Sequence, residues 1–142
     1  MANDTSTRCK PKIAISACLL GAEVRFNGGH KESRLCSQAL SEHFDFVPLC
    51  PEVAIGLGIP RQPIRLVGDP TMPQAVGSVD STLDVTHALH DYGVSMAATH
   101  TDICGYIFMQ KSPSCGLERV KVYQDGGRPA ELSGRGIYAQ AF

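Results

Sequence analysis

Six cysteines lie along the chain: Cys9, Cys18, Cys36, Cys50, Cys104 and Cys115. Thiolates are soft metal ligands and good nucleophiles, so each position is first a question of chemistry. None forms a C-x-x-C pair, and by spacing alone the metal signal is weak. Position relative to the expected elements is more informative. Cys18 follows the β-type run KIAIS (Lys12 to Ser16) by two residues, Cys50 closes the run FDFVPLC (Phe44 to Cys50), and Cys115 sits in KSPSCG after GYIFMQ (Gly105 to Gln110). Sites in open parallel sheets lie beyond the carboxyl ends of the strands, so these three thiols would gather on one sheet edge. Two readings stay open at this point: three unrelated buried cysteines, or a metal site. Cys36 and Cys104 fall on or beside helical patterns, and Cys9 in a tail. For those three a small buried hydrophobe or an incidental surface thiol suffices.

The elements that must position the trio follow from pattern. Pro48 breaks and Pro51 stops the second run. Between the runs, residues 33–43 and 81–103 interleave apolar and polar residues with helical spacing. Strands alternating with helices predict an α/β fold: a single-domain, Rossmann-like, mostly parallel sheet with helices on both faces. Residues 1–11 read as a flexible tail and 12–142 as the domain. GDPTMPQAVGS (68–78) reads as a connecting loop or lid, and ELSGRGIYAQAF starts a helix where the sequence stops, the pattern of the N-terminal half of a longer two-domain protein.

Composition sets limits on function. A hydrophobic content of 43% and a net charge of −1 describe an ordinary globular chain and give no electrostatic argument for a nucleic-acid or membrane partner. No apolar run approaches the length of a membrane span, and the N-terminus lacks a secretory h-region. A cytoplasmic setting is expected, where thiols stay reduced and disulfides are not the use of these cysteines. There is no G-x-x-x-x-G-K loop and no G-x-G-x-x-G after a strand, so nucleotide triphosphate hydrolysis and hydride transfer lack support. His87 and His90 are three apart on the long helical pattern but match no metal spacing.

Polar side chains cluster near the trio in sequence. Arg25, Asn27, His30 and Lys31 of VRFNGGHK form a glycine-rich loop suited to reading a pyrimidine edge or ribose, or to capping the next helix. Lys111 and Ser114 of KSPSCG flank Cys115 and are candidate substrate contacts. Arg61 and Arg65 can meet phosphate or simply solvate a face. Pro51 and Pro113 stiffen the backbone beside two of the thiols, which favours fixed ligand geometry.

The segments ISACLLG, VRFNGGHK, CPEVAIGLGIPR and KSPSCG occur in that order over most of the chain. In this the sequence resembles the bacterial thiouracil desulfidase family, in the subtype usually fused to a second C-terminal domain. The resemblance implies a [4Fe-4S] cluster held by Cys18, Cys50 and Cys115 with one iron left open, and catalytic roles for Glu52 and Ser112. It implies replacement of sulfur by oxygen in a thiolated uracil, such as 2-thiouracil or 4-thiouridine, with tRNA contacts supplied by the second domain. A thiocarbonyl sulfur is a soft ligand, and a Lewis acid holding it invites water to attack the carbon, with Glu52 as base and Ser112 orienting substrate or water. Two alternatives stand beside it. One is a structural or sensing metal domain closed by a fourth ligand such as His30 or Cys36. The other is a cysteine-nucleophile enzyme using Cys115 activated by Lys111.

Overall fold

A computed structural model describes residues 10–126 and 128–142. Cys9 and most of the expected tail lie outside the described residues.

Three parallel strands form the first sheet: β1 (Lys12–Ser16), β2 (Asp45–Leu49) and, later in the chain, β5 (Ile103–Ile107), in the order β2-β1-β5. The middle strand carries three consecutive buried residues, Ala14, Ile15 and Ser16, as a strand covered on both faces must. Its neighbours lie one on each side, Ala14 opposite both Val47 and Tyr106. The crevice past the end of β1 is therefore the point where the connections diverge, the usual ligand position in such sheets.

A second sheet of four strands, absent from the sequence-based expectation, holds β3 (Ile64–Val67), β4 (Gln74–Gly77), β6 (Val120–Tyr123) and β7 (Glu131–Gly134) in the order β4-β3-β6-β7. Only β3 and β6 run parallel within it. The segment expected as a connecting loop or lid thus contributes a strand, preceded by a turn in which the Asp69 carboxylate accepts from the Thr71 amide at 2.9 Å and hydroxyl at 2.8 Å. Leu66, Ala75, Leu89, Val122 and Tyr138, all fully buried, form the core between this sheet and the helices.

The helices are α1 (Pro51–Ala54), α2 (Thr86–Thr99) and α3 (Ile137–Ala141). α2 is shorter than the 81–103 expectation because Asp80 and Asp84 each bind a threonine two residues on, which stabilises turns in place of helix. Residues 33–43 do not form a regular α-helix but a π turn, Leu35–Ala39, and a 3-10 turn, Leu40–Glu42. Serine competes for the backbone there: the Ser41 hydroxyl donates to the carbonyls of Ser37 and Gln38 at 2.9 and 3.0 Å. Among the described residues no helix is long and apolar enough to cross a membrane.

α3 packs on α2 at Gly93, where a methyl group would come within 2.9 Å of the Tyr138 carbonyl oxygen. Such close approach outweighs the roughly 1 kcal/mol by which alanine is the better helix former. The start of α3 also reaches the Cys115 loop. The amides of Gly136, Ile137 and Ala139 donate to the carbonyls of Gly116, Pro113 and Ser114 at 2.7, 3.0 and 3.0 Å. Helix N-termini carry amides with no partner inside the helix, and here the loop satisfies them.

Candidate functional site

Cys18, Cys50 and Cys115 line one cavity of about 430 Å³ at the carboxyl edge of the parallel sheet. Each follows a different strand of that sheet in the chain. Cys18 lies in the 3-10 turn Ala17–Leu20, closed by Gly21 at a φ of 91°. Cys50 directly follows β2 and caps α1 immediately before Pro51, whose fixed φ suits the first position of that helix. Cys115 sits in the loop that α3 holds. Cys36 is buried in the π turn and Cys104 is exposed on β5, and neither lines the cavity.

Glu52 is the acidic centre of the site. Its Oε1 pairs with Arg61 Nε at 3.2 Å, both side chains being mostly buried at 15% and 6% exposure. Its Oε2 accepts from the Ser114 hydroxyl at 2.8 Å. Ser114 Oγ lies 3.0 Å from Ser112 Oγ, and since a hydroxyl has one proton to give, Ser112 is the donor between the two. Ser112 Oγ in turn accepts the amides of Ser114 and Cys115 at 3.3 and 3.0 Å. A directed chain results, Ser112 to Ser114 to Glu52.

Arg61 is neither a phosphate contact nor a face-solvating residue. Its Nη1 and Nη2 donate to the carbonyls of Gly58 and Val24 at 2.9 and 2.8 Å, so the guanidinium holds Glu52 and two loops together. A buried carboxylate needs such a partner. Arg25, Lys31 and Lys111 line the same cavity. Asn27 does not; its side-chain oxygen accepts the Gly29 amide at 2.9 Å and shapes the loop that presents Arg25. His30 Nδ1 likewise accepts the Glu32 amide at 3.1 Å.

Burial pushes all three thiols upward. Cys18 is raised by desolvation and by Cys50, against the pull of Arg25, and Cys50 chiefly by desolvation. Cys115 is pushed up to about 12 by its burial, opposed by the Ser16 and Ser114 hydroxyls beside it. The Glu52 charge adds to the rise of each. Ser16, which also accepts the Met109 amide at 2.9 Å, is a site residue that sequence reasoning missed. Its place as the last residue of β1, two before Cys18, was the available signal.

A stability prediction follows for the metal-free protein. The folded Cys115 value of about 12 exceeds the ordinary 9.0, so above pH 9 the unfolded chain releases its proton first. Stability is complete below that pH and falls by up to about 4 kcal/mol as pH rises toward 12. Denaturant melts across pH 8 to 11 test this, and Cys115→Ala should make the loss shallower; an unchanged slope would refute it.

A parallel sheet with three thiols and a braced carboxylate at its carboxyl edge defines an α/β protein with a cysteine-lined site. The chain belongs to the 2-thiouracil desulfurase family, whose model matches residues 13–142. It is 31% identical over 133 residues to the uncharacterized protein YbbK of Bacillus subtilis (strain 168), covering 89% of this chain and 86% of that one. Among solved structures it is similar to the [4Fe-4S]-dependent thiouracil desulfidase TudS, with a TM-score of 0.70, 30% identity, and coverage of 92% of this chain and 83% of that chain.

Proposed function

We propose that this chain is an iron-sulfur-dependent, non-redox desulfidase that replaces sulfur by oxygen in thiolated uracil derivatives and releases sulfide. The observation that carries the proposal is the meeting of Cys18, Cys50 and Cys115 with Glu52, Ser114 and Ser112 around one cavity. The donor set fits a [4Fe-4S] cluster. Three soft thiolates suit iron-sulfur ligation, and neither Cys36 nor Cys104 lines the cavity to close a fourth position. Among the described residues no group of three His, Cys, Asp or Glu side chains is gathered as a single ion requires. A tetrahedral zinc would need its sulfurs about 3.8 Å apart. Cationic Arg25, Lys31 and Lys111 offset the negative charge that the thiolates bring.

Bound there, the cluster supplies a soft Lewis acid for the thiocarbonyl sulfur. The protein's own groups supply the rest. Glu52, held by Arg61, takes a proton from the water that attacks the carbon. Ser112 has one proton, given either to Ser114 or to the substrate, and so can turn toward a ring heteroatom while Ser114 stays on Glu52. Arg25 and Lys111 contact the pyrimidine or its sugar, and Asn27 fixes the Arg25 loop. The balance is C=S plus water to C=O plus hydrogen sulfide, with no electrons exchanged. Free 2-thiouracil and 4-thiouridine, alone or within tRNA, are the substrates of this proposal, in a cytoplasmic setting.

The test is anaerobic reconstitution with iron and sulfide, followed by iron and labile-sulfide counts and sulfide release from 2-thiouracil and 4-thiouridine. About four irons per chain and iron-dependent sulfide release are expected. Stoichiometric zinc without turnover, or full activity in iron-free protein, would overturn the proposal.

A further inference from the structure

Ser16 stands in the middle of the three proposed ligands. It ends β1, the central strand, two residues before Cys18, and its register partner on β2 is Leu49, the residue before Cys50. On the other side its hydroxyl accepts the amide of Met109 at 2.9 Å, in the segment that leads from β5 to Cys115. The side chain thus ties the central strand to its neighbour beyond the end of β5, and the hydroxyl is fixed in place. It lines the cysteine cavity with only 3% of the residue's surface exposed.

That bond leaves one proton to account for. A serine hydroxyl that accepts an amide still carries a donor, and among the described residues no nitrogen or oxygen accepts it. A buried donor without an acceptor is destabilising, so the proton needs a partner. The Cys115 sulfur stands beside this hydroxyl. It is itself short of donors, because the loop around it has spent its own. The amides of Ser114 and Cys115 go to Ser112 Oγ, and the amide of Gly116 goes to the Ser112 carbonyl. Ser114 Oγ lies 3.8 Å from Cys115 Sγ, but its proton is given to Glu52.

We propose that the Ser16 hydroxyl donates its proton to the Cys115 thiolate when that sulfur binds iron, and so governs the electron density of the cluster. The inference rests on the desulfidase proposal for what occupies the cavity. A donor on a thiolate withdraws electron density from the sulfur and hence from the iron, which makes the iron easier to reduce and a stronger Lewis acid for a thiocarbonyl. Desulfuration exchanges no electrons, so the reduction potential here is a gauge of that electron density and not a step of the reaction. Ser16 is therefore a positioning residue, acting through Cys115 without touching substrate.

The test compares the reconstituted wild type with Ser16→Ala and Ser16→Thr, reading iron content, reduction potential and sulfide release from 2-thiouracil. Ser16→Ala should keep the wild-type iron count and lower the potential by about 59 mV, a tenfold change in the one-electron equilibrium. Sulfide release should fall in kcat and not in KM. Ser16→Thr, which keeps a hydroxyl, should restore the potential. A purely structural serine would alter iron content and leave the potential of each loaded molecule unchanged. An unaltered potential in Ser16→Ala, or a lowered one that Ser16→Thr fails to restore, would overturn the proposal. If Ser16→Ala takes up too little iron to titrate, the vibrational spectrum of the wild type decides: the iron–thiolate stretches should shift on exchange into heavy water, and stationary bands would overturn it. Wild-type turnover with an unaltered Ser16→Ala potential removes the Ser16 contact alone. Iron uptake and the expected shift without sulfide release remove the desulfidase reaction and leave the contact standing.

Discussion

Glu52→Gln should retain iron and lower sulfide release about a thousandfold, within the range that a positioned general base contributes. The carboxylate lines the same cavity as the three thiols, yet it is also half of a buried ion pair, so stability has to be separated from chemistry. Glutamine keeps the shape and an oxygen for Ser114 or Arg61 to reach, but no charge and no site for the proton of an attacking water. Breaking a buried pair from one side can cost about 3 to 5 kcal/mol. Arg61 retains the carbonyls of Gly58 and Val24 as partners, which should keep the cost below that range. Melting of the metal-free protein and iron counts on the reconstituted one measure these effects apart from rate. Ser114→Ala is the companion variant: it deletes the link between Ser112 and Glu52 but leaves the carboxylate, and a rate loss of about tenfold is expected. Wild-type turnover in Glu52→Gln would remove the carboxylate from the reaction.

Much of the parallel sheet was legible because its strands obey simple rules. KIAIS is a short β-type run at the observed boundaries of β1, and Pro51 stops β2 where the spacing says it should. The placement of Cys18 and Cys50 at the carboxyl edge follows directly from those ends. The second sheet was illegible for an equally physical reason. Its strands are four residues each, and β4 lies inside a segment whose two prolines and two glycines mimic a loop. Helix length failed where Asp and Ser side chains compete for the backbone, at Asp80, Asp84 and Ser41, because hydrophobic spacing does not register that competition. Within the site, side-chain type suggested the residues but not their partners. Arg61 resembled a surface cation until its distance to Glu52 assigned it, and for Ser16 the one signal was its position two residues before Cys18 at the end of β1.

Cys115→Ser should lower bound iron from about four atoms per chain to under one and abolish sulfide release, since an alkoxide is a poor substitute for a soft thiolate at iron. Cys36→Ala, a buried cysteine outside the cavity, should leave iron unchanged. Those two outcomes establish which thiols matter, but not what holds Cys115 in place. Gly136→Ala addresses that. Gly136 has φ −58°, a conformation alanine adopts freely, so backbone preference raises no objection to the change. The objection is contact: a methyl group there would be driven into the Ser114 carbonyl and would come within 2.7 Å of the Cys115 amide nitrogen. Both are backbone atoms, so the loop must shift or α3 must withdraw, at a cost of about 1 to 3 kcal/mol. Every proposed ligand and every catalytic side chain is still present in that variant. Iron content should nevertheless fall by about half or more after identical reconstitution, because ligand geometry tolerates displacements of only about 0.5 Å. Full iron and full turnover in Gly136→Ala would show that α3 does not position the Cys115 loop, and that its three amide contacts serve folding alone.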